Sequence, residues 1–351
     1  MGGLDTYPLD TLLIRSEPRA IADVLRRIER KIIVLDPDFE RDFVWDEKRQ
    51  SRLIESVLMR IPLPVFYLAE DKNGKLIVVD GLQRLTTFKR FKDGELILDI
   101  EKNRELHQKG FEDLPEKFQD RFEDGPLTFY LIDPNVPDRV RLDIFERVNS
   151  GVALTRQQMR NALYTGSATK LLRDLARSDR FTEATAGTFK IERHRREMTD
   201  REAINRFVAH FTLGWKRYGT KQFPDFDEFL GGSLRYVNQH ASEINSIKSA
   251  FLRSMQINAN VFGKHAFRKP AHARRNALNV ALFEVMSVCI AAYGATPVTP
   301  SRHRALEEGF EALIERSSFS AAITYATAEI RNVQKRFAMT EEMLREVWGD
   351  P

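Results

Sequence analysis

Short runs of β-branched and aromatic residues dominate the first half of the chain, and they predict buried strands. Between the first two runs, apolar residues such as Leu53, Ile54 and Val57 recur at helical spacing, which predicts a helix over 46–60 with Asp46 as its N-cap. The predicted strands are 31–35 (KIIVL), 64–68 (PVFYL), 76–79 (LIVV) and 127–132 (LTFYLI).

Strand patterns almost vanish after Pro137, and helical periodicity replaces them. The shift in composition near residues 150–170 predicts a domain boundary, so the expected fold class is α+β. We expect an α/β domain over 1–165 followed by an all-helical domain over 166–351. The predicted helices are 137–149, 155–165, 167–178, 198–217, 225–245, 270–293 and 302–346, the last of them broken.

Composition supports a globular protein of two domains and excludes several classes. The chain has 351 residues, of which 42% are apolar and 30% charged, so neither wholesale disorder nor collagen is expected. Cys289 is the only cysteine, which excludes an intrachain disulfide and fits a reducing compartment. The N-terminal residues lack the apolar core of a signal peptide, and no stretch approaches the ~20 apolar residues of a membrane helix. A soluble cytoplasmic protein without membrane contact is therefore expected.

The stretch from Leu76 to Phe88 is the most informative, because an apolar strand passes through Asp80-Gly81 directly into a helix. Gly81 allows close approach to the backbone, and the helix N-terminus offers free N–H groups to an anion. Arg84 is a candidate for a phosphate contact, and the Asp80 carboxylate for a divalent cation bound to the same phosphate. The plainer alternative is that Asp80 caps the helix, Gly81 eases the turn and Arg84 is solvated. No Walker sequence is present, so a P-loop NTPase is not supported.

These residues belong to a longer pattern with a known counterpart. Asp80-Gly81-Leu82-Gln83-Arg84 is followed by Leu-Thr-Thr, and the segments Pro37–Trp45 (PDFERDFVW), Ile61–Pro64 (IPLP) and Ile144–Gly151 (IFERVNSG) flank it in order. Over about residues 25–165 the chain thus resembles the GmrSD-type restriction and defence family. The N-terminal domain of that family is ParB/sulfiredoxin-like and carries an Asp-Gly-Gln-Gln-Arg loop.

The resemblance implies nucleotide binding and hydrolysis at this loop, coupled to defence against foreign or modified DNA. It implies an NTP with Mg²⁺ as cofactors, with Asp80 holding the metal, Arg84 a phosphate, and Gln83 a water or phosphate. Gly81, Arg41 and Arg147 are the further nucleotide-binding candidates; Arg41 as a plain surface residue is the alternative. Two departures put hydrolysis in question, because Leu82 replaces the first Gln of the loop and Glu40 an upstream Gln.

The residues needed for sulfiredoxin chemistry and for a His-Asn-His nuclease are not found in this sequence. Sulfiredoxin chemistry needs a cysteine in the equivalent turn, whereas Cys289 lies far away on an apolar helix and is expected to be a core residue. No His-Asn-His nuclease segment is found among the seven histidines, so we expect any nuclease to come from a partner.

Basic charge is concentrated in the second half. No Asp or Glu occurs over residues 244–283, a stretch of 40 residues. A nucleic-acid backbone could bind there, since lysine and arginine neutralise phosphates; a solvated basic face is the alternative. A second cluster is 193–196 (RHRR). The candidate nucleic-acid contacts are Lys264, Arg268, Lys269, Arg274 and Arg275.

We therefore expect a nucleotide-binding, NTP-hydrolysing component of a bacterial DNA-defence system. The alternative from a different class is a non-catalytic, nucleotide-gated DNA-binding module of ParB type, which Leu82 favours. A metal-dependent nuclease acting through the same loop has fewer acidic residues than two-metal chemistry needs.

Overall fold

A computed structural model describes residues 14–35, 45–71, 74–148, 154–269, 277–293 and 299–348. The chain divides into two compact units, Met1–Leu154 and Thr155–Pro351, which we call the sheet unit and the helical unit. The assignment of domains to 1–165 and 166–351 stays a prediction.

The sheet unit is built on a five-stranded mixed sheet of order β1-β5-β3-β4-β2. β1 and β5 are antiparallel, β5 and β3 parallel, β3 and β4 antiparallel, and β4 and β2 parallel. The edge strands are β1 and β2. The strands are β1 (Ile14–Ala20), β2 (Ile33–Val34), β3 (Phe66–Glu70), β4 (Leu76–Asp80) and β5 (Pro126–Ile132).

Helices of the sheet unit contribute to a core rich in phenylalanine. Phe66 of β3 and Phe129 of β5 lie 5.1 Å apart between ring centroids, and both are fully buried with Phe88, Phe91 and Phe122. This burial of large apolar surface is the main stabilising contribution to the unit. The helices are α1 (Ile21–Glu29), α2 (Glu47–Leu58), α3 (Leu82–Lys92), α4 (Glu116–Glu123) and α5 (Asp138–Val148).

At one end of the sheet, the ends of three neighbouring strands lie together. β4 and β2 are parallel, so their carboxyl ends lie together, and antiparallel β3 begins at the same edge. Asp80, the last residue of β4, pairs with Tyr67 near the start of β3, where the register shifts between Tyr67 and Leu68. Such irregularities redirect side chains at the rim of a sheet.

The helical unit packs its helices around the apolar helix α13. This helix buries almost every residue, including Cys289, whose thiol pKa is raised by burial. Cys289 is thus a core residue, as predicted. The helices are α6 (Arg156–Leu163), α7 (Ser167–Ala176), α8 (Asp179–Ala184), α9 (Glu192–Arg196), α10 (Thr199–Leu213), α11 (Phe226–Gln239), α12 (Ile244–Phe262), α13 (Val280–Tyr293), α14 (Pro300–Glu315), α15 (Ser317–Ala322) and α16 (Ile330–Trp348).

Glu284 of α13 is the fully buried carboxylate at the centre of an ion cluster. Its oxygens lie 2.5 Å from Arg336 Nη2, 3.0 Å from His210 Nε2 and 3.4 Å from Arg206 Nη1. Burial alone would raise the pKa of Glu284, but these three neighbours hold it well below its usual range. Burial lowers the pKa of His210 despite the nearby carboxylate. The unit thus keeps a charge inside its apolar core by pairing it with Arg336 and Arg206.

The predicted fold class is confirmed in its coarse form, an α+β sheet unit followed by a mostly helical unit. Strand content beyond residue 137 is limited, in the described residues, to an isolated bridge between Thr220 and Phe223. The predicted strand 64–68 lies two residues further on, and the helix predicted over 302–346 is broken into α14, α15 and α16. None of the described helices is both long and apolar enough to cross a bilayer.

Candidate functional site

The candidate site is the turn Asp80–Arg84, where β4 ends and α3 begins. Asp80 is the last residue of the strand, Gly81 is the N-cap, and the helix begins at Leu82. Leu85 and Phe88 are fully buried, which anchors α3 in the core, whereas Leu82 and Gln83 at the helix start are half-buried. The strand-to-helix turn predicted from the sequence is therefore confirmed.

Gly81 is required both by its backbone conformation and by its surroundings. Its φ is +100°, in the left-handed region that favours glycine. A Cβ atom built at Gly81 would lie 2.3 Å from Cδ1 of Phe66 and 3.3 Å from Nη2 of Arg84. The turn therefore brings its backbone against the aromatic ring.

Gly81→Ala should lower the free energy of unfolding by about 2–4 kcal/mol, because left-handed strain and overpacking add. Gly94→Ala is the matched control, since Gly94 follows the same helix with φ +77° and has nothing within 4 Å of a built Cβ. It carries the backbone strain without the clash. Urea denaturation of both variants measures the difference, and equal losses would contradict the role of Phe66.

Arg84 is buried, with 9% of the residue exposed, and its guanidinium joins three parts of the site. Nη1 donates to the Pro64 carbonyl, while Nη2 donates to the Val65 carbonyl at 3.1 Å and to Asp80 Oδ2 at 2.7 Å. The guanidinium also lies 4.2 Å from the centroid of the Phe66 ring. Arg84 therefore ties the start of α3 to the start of β3.

These contacts change the interpretation of Arg84. The alternative of a solvated helix residue is wrong, because Arg84 is buried and its guanidinium donates to protein oxygens. Burial lowers the pKa of this guanidinium, and Asp80 partly offsets that effect. Its role as a phosphate contact stays a prediction. The carbonyls of Pro64 and Val65 and the Phe66 ring were missed as site components, although the conspicuous Ile61–Pro64 segment leads directly to them.

Asp80 presents a half-exposed carboxylate at this edge, with 32% of its side chain accessible. Burial raises its pKa, whereas the charge of Arg84 and a hydrogen bond from the Gly81 N–H counteract that rise. The N-cap of α3 is Gly81, so the alternative in which Asp80 caps the helix is wrong. The carboxylate lies beside the helix N-terminus rather than closing it.

The N-terminus of α3 has no side-chain cap and no acidic residue in its first turn. The first N–H groups of a helix have no intrahelical acceptor, and the helix dipole makes this end attractive to anions. Gln83 lies in this first turn and is half-buried. The turn thus combines donors for an anion with one carboxylate.

One carboxylate is sufficient for Mg²⁺ only when the ligand's phosphates complete the coordination. Mg²⁺ is usually held through one or two carboxylates together with substrate phosphates and water. Over the described part of the chain, no group of three or more His, Cys, Asp or Glu side chains could hold a metal ion by itself. At this turn Asp80 supplies one carboxylate, whose Oδ2 also accepts from Arg84 at 2.7 Å.

The remaining predicted site residues lie in several places. Arg147 is exposed in the last turn of α5, and its role stays a prediction. Arg41, Arg274 and Arg275 lie outside the described residues. Lys264 is exposed in the helical unit, while Arg268 and Lys269 are half-buried there.

Residues 21–165 match the family model of the GmrSD restriction endonuclease, N-terminal domain. The match covers the Asp80–Arg84 turn and extends to α6. No curated protein and no solved structure matches the chain. The chain therefore contains a GmrSD N-terminal domain over residues 21–165, which indicates a component of a restriction or defence system.

Proposed function

We propose that the Asp80–Arg84 turn binds a nucleoside triphosphate with Mg²⁺, and that the chain is a nucleotide-hydrolysing component of a DNA-restriction system. The observation that carries the proposal is a half-exposed carboxylate placed directly before an uncapped helix N-terminus, within a GmrSD N-terminal domain. A ParB-type fold for the sheet unit is part of the same proposal.

Each residue of the turn has a distinct role in this proposal. Gly81 supplies the left-handed conformation of the turn, and the first N–H groups of α3 donate to a phosphate. Asp80 would hold the metal ion, which supplies charge neutralisation to the phosphates when bound. The Gln83 amide orients a water molecule or a phosphate oxygen, and Arg84 keeps the turn in place through Pro64 and Val65.

The proposal includes nucleic acid as a partner of the helical unit. Lys264 and Lys269, with Arg274 and Arg275, are the proposed contacts to the phosphate backbone, while Arg268 donates to the Lys264 carbonyl and holds the turn that carries them. A partner nuclease that cleaves the strands is part of the same proposal.

A non-catalytic switch is the second candidate, and Leu82 favours it. Leu82 is the first residue of α3 and is half-buried, where the family loop carries an amide side chain. The loss of one polar group affects hydrolysis more than binding when that group acts on charge that develops in the transition state. A switch would bind the nucleotide and retain it intact.

We expect an NTP with Mg²⁺ to stabilise the protein by about 2.7 kcal/mol at 100-fold excess over its Kd. Asp80→Asn should abolish the dependence on Mg²⁺, whereas the control Asp93→Asn, at the other end of α3, should retain it.

Leu82→Gln should raise phosphate release roughly tenfold or more. Thermal unfolding and phosphate release measure these effects.

Two results would count against the proposal, in different ways. If millimolar NTP with Mg²⁺ leaves the unfolding temperature of the wild type unchanged, nucleotide binding is excluded at this turn. If binding is present but both wild type and Leu82→Gln stay at background hydrolysis, the switch is the correct function.

A further inference from the structure

Arg268, from one of the two basic clusters of the helical unit, contacts the segment that precedes the other cluster. Arg268 is the connection: Nη2 donates to the Thr185 carbonyl at 3.1 Å and to Thr188 Oγ1 at 2.8 Å. Its Nη1 donates to the carbonyls of Lys264 and Ala266, both at 3.0 Å. Arg268 therefore holds the turn 263–269 against the segment that leads into α9.

The segment beside Arg268 carries exposed cations. Lys190 and Arg195 line one shallow cleft, together with Thr185, whose carbonyl accepts from Arg268. Arg195 and Arg196 are exposed on α9, whereas Arg193 is paired with Glu197 at 2.8 Å. Residues 185–197 and 263–269 together contain seven Lys and Arg but only two Glu. The juxtaposed segments therefore concentrate positive charge that neither has alone.

An exposed aromatic side chain, Tyr325, follows the residue that Lys269 contacts. Lys269 donates through Nζ to Thr324 Oγ1, so the same turn also lies against the residue before Tyr325. Tyr325 is 71% exposed, more than any other large hydrophobic side chain among the described residues. Asn332 Nδ2 donates to the Tyr325 carbonyl at 3.0 Å, which fixes the backbone under the exposed ring.

We propose that these three segments, 185–197, 263–269 and 324–325, form one binding surface for single-stranded nucleic acid, which we call the basic strip. Lys190, Arg195, Arg196 and Lys264 contact phosphates, and the Tyr325 ring stacks on an unpaired base. The inference deepens the nucleic-acid contact proposed above and rests on it. It adds α9, the aromatic platform and the strandedness of the partner.

The exposed Tyr325 ring is the reason for proposing a single strand rather than a duplex. A cationic groove with an aromatic platform is the usual arrangement for single strands, because every base offers a π-face once it is unpaired. In a duplex that face is covered by the neighbouring base pairs. Arg268 acts here as a positioning residue, since both of its terminal nitrogens are held by protein oxygens.

The test uses the full chain and two fluorescein-labelled 20-nucleotide DNA probes of mixed sequence, one single-stranded and one duplex, without nucleotide. Arg195→Ser/Lys264→Ser removes one cation from each cluster. Lys248→Ser/Arg253→Ser is the matched control, because both residues are exposed in the same acid-free stretch. On α12, Lys248 lies roughly 20 Å from the turn, given a rise of 1.5 Å per residue. Tyr325→Ala and Tyr325→Phe test the platform.

We expect the single strand to bind more tightly than the duplex. Arg195→Ser/Lys264→Ser should flatten the slope of log affinity against log salt by roughly 1.4 on the single strand, at about 0.7 per phosphate. Tyr325→Ala should weaken single-strand binding roughly 5- to 100-fold with an unchanged salt slope, whereas Tyr325→Phe should bind like the wild type.

The outcomes separate this inference from the proposal beneath it. If the wild type binds neither probe, the nucleic-acid contact itself fails. If it binds but Arg195→Ser/Lys264→Ser behaves like the control pair, the contact lies elsewhere and the basic strip is overturned. Tighter duplex binding, or full single-strand affinity in Tyr325→Ala, overturns the single-strand assignment.

Discussion

Glu284→Gln is expected to lower the free energy of unfolding by about 3–5 kcal/mol, because it leaves buried cations without their counter-ion. Glutamine preserves the volume of the side chain, so a cavity contributes little. Arg336 would lose its partner at 2.5 Å while remaining fully buried. Urea denaturation at neutral pH measures the loss, and the exposed Glu311→Gln, in the same unit, should change stability by less than about 0.5 kcal/mol.

The cluster also predicts how the substitutions combine. Glu284→Gln/Arg336→Met should cost less than the sum of the two single variants, since each removes the charge that the other leaves unpaired. Additive losses would contradict a direct interaction between the two residues. A loss below about 1 kcal/mol for Glu284→Gln alone would show that the buried carboxylate is not needed to compensate Arg336 and Arg206.

The sign of the pH dependence follows from the lowered pKa of Glu284. The unfolded chain binds a proton to this residue at a higher pH than the folded chain does. Its stabilising contribution is therefore present above the ordinary glutamate pKa of about 4.3 and declines as the pH falls below that value. Glu284→Gln should accordingly show a smaller loss of stability on acidification than the wild type.

Arg84→Ala is expected to lower the free energy of unfolding by about 2–4 kcal/mol in the absence of any nucleotide. The substitution removes donors to two backbone carbonyls and leaves the Asp80 carboxylate without its ion pair. Arg84→Lys should recover little, because one ammonium group cannot reproduce the planar fork that spans Pro64, Val65 and Asp80. The control Lys89→Ala breaks only a surface pair with Asp93 and should cost about 1 kcal/mol or less.

This expectation affects how nucleotide binding should be tested. A loss of affinity in Arg84→Ala would combine a disordered turn with a missing phosphate contact. Binding should therefore be measured well below the unfolding temperature of each variant and compared with Asp80→Asn, which changes charge at the same turn. If Arg84→Ala is as stable as the wild type, the tie to Pro64 and Val65 does not hold the site together.

Local chemistry explains the features that could be predicted from the sequence alone. Asp46 caps α2 as predicted, and its side chain accepts from the Arg49 N–H at 2.7 Å. The apolar strand, the glycine and the helix that make up the Asp80–Arg84 turn are neighbours in the chain. Their conformations are decided by sterics and hydrogen bonds over a few residues, and a sequence pattern reports those directly.

Among the elements that were not predicted, β1 and α12 have sequence patterns that are weak locally. β1 contains Pro18 and little alternation, and it is stabilised by antiparallel pairing with β5 more than 100 residues later. The inward face of α12 carries Ser254 and Asn258, which obscure its apolar period. Ser254 is buried there because its hydroxyl donates to the Ser287 carbonyl of α13 at 2.7 Å.

By itself the sequence determined which side chains could carry charge or chemistry, the strand-to-helix turn that presents Asp80, and the family of the domain around it. Only the tertiary structure decided what those side chains bind. Arg84 is held by carbonyls 19 and 20 residues away, Arg268 by a carbonyl 83 residues away, and Glu284 by Arg336 at a separation of 52. The physical reason is that the N–H donors of a guanidinium can bond equally to water, to a phosphate or to a buried carbonyl. Only folding decides which of these acceptors comes within reach.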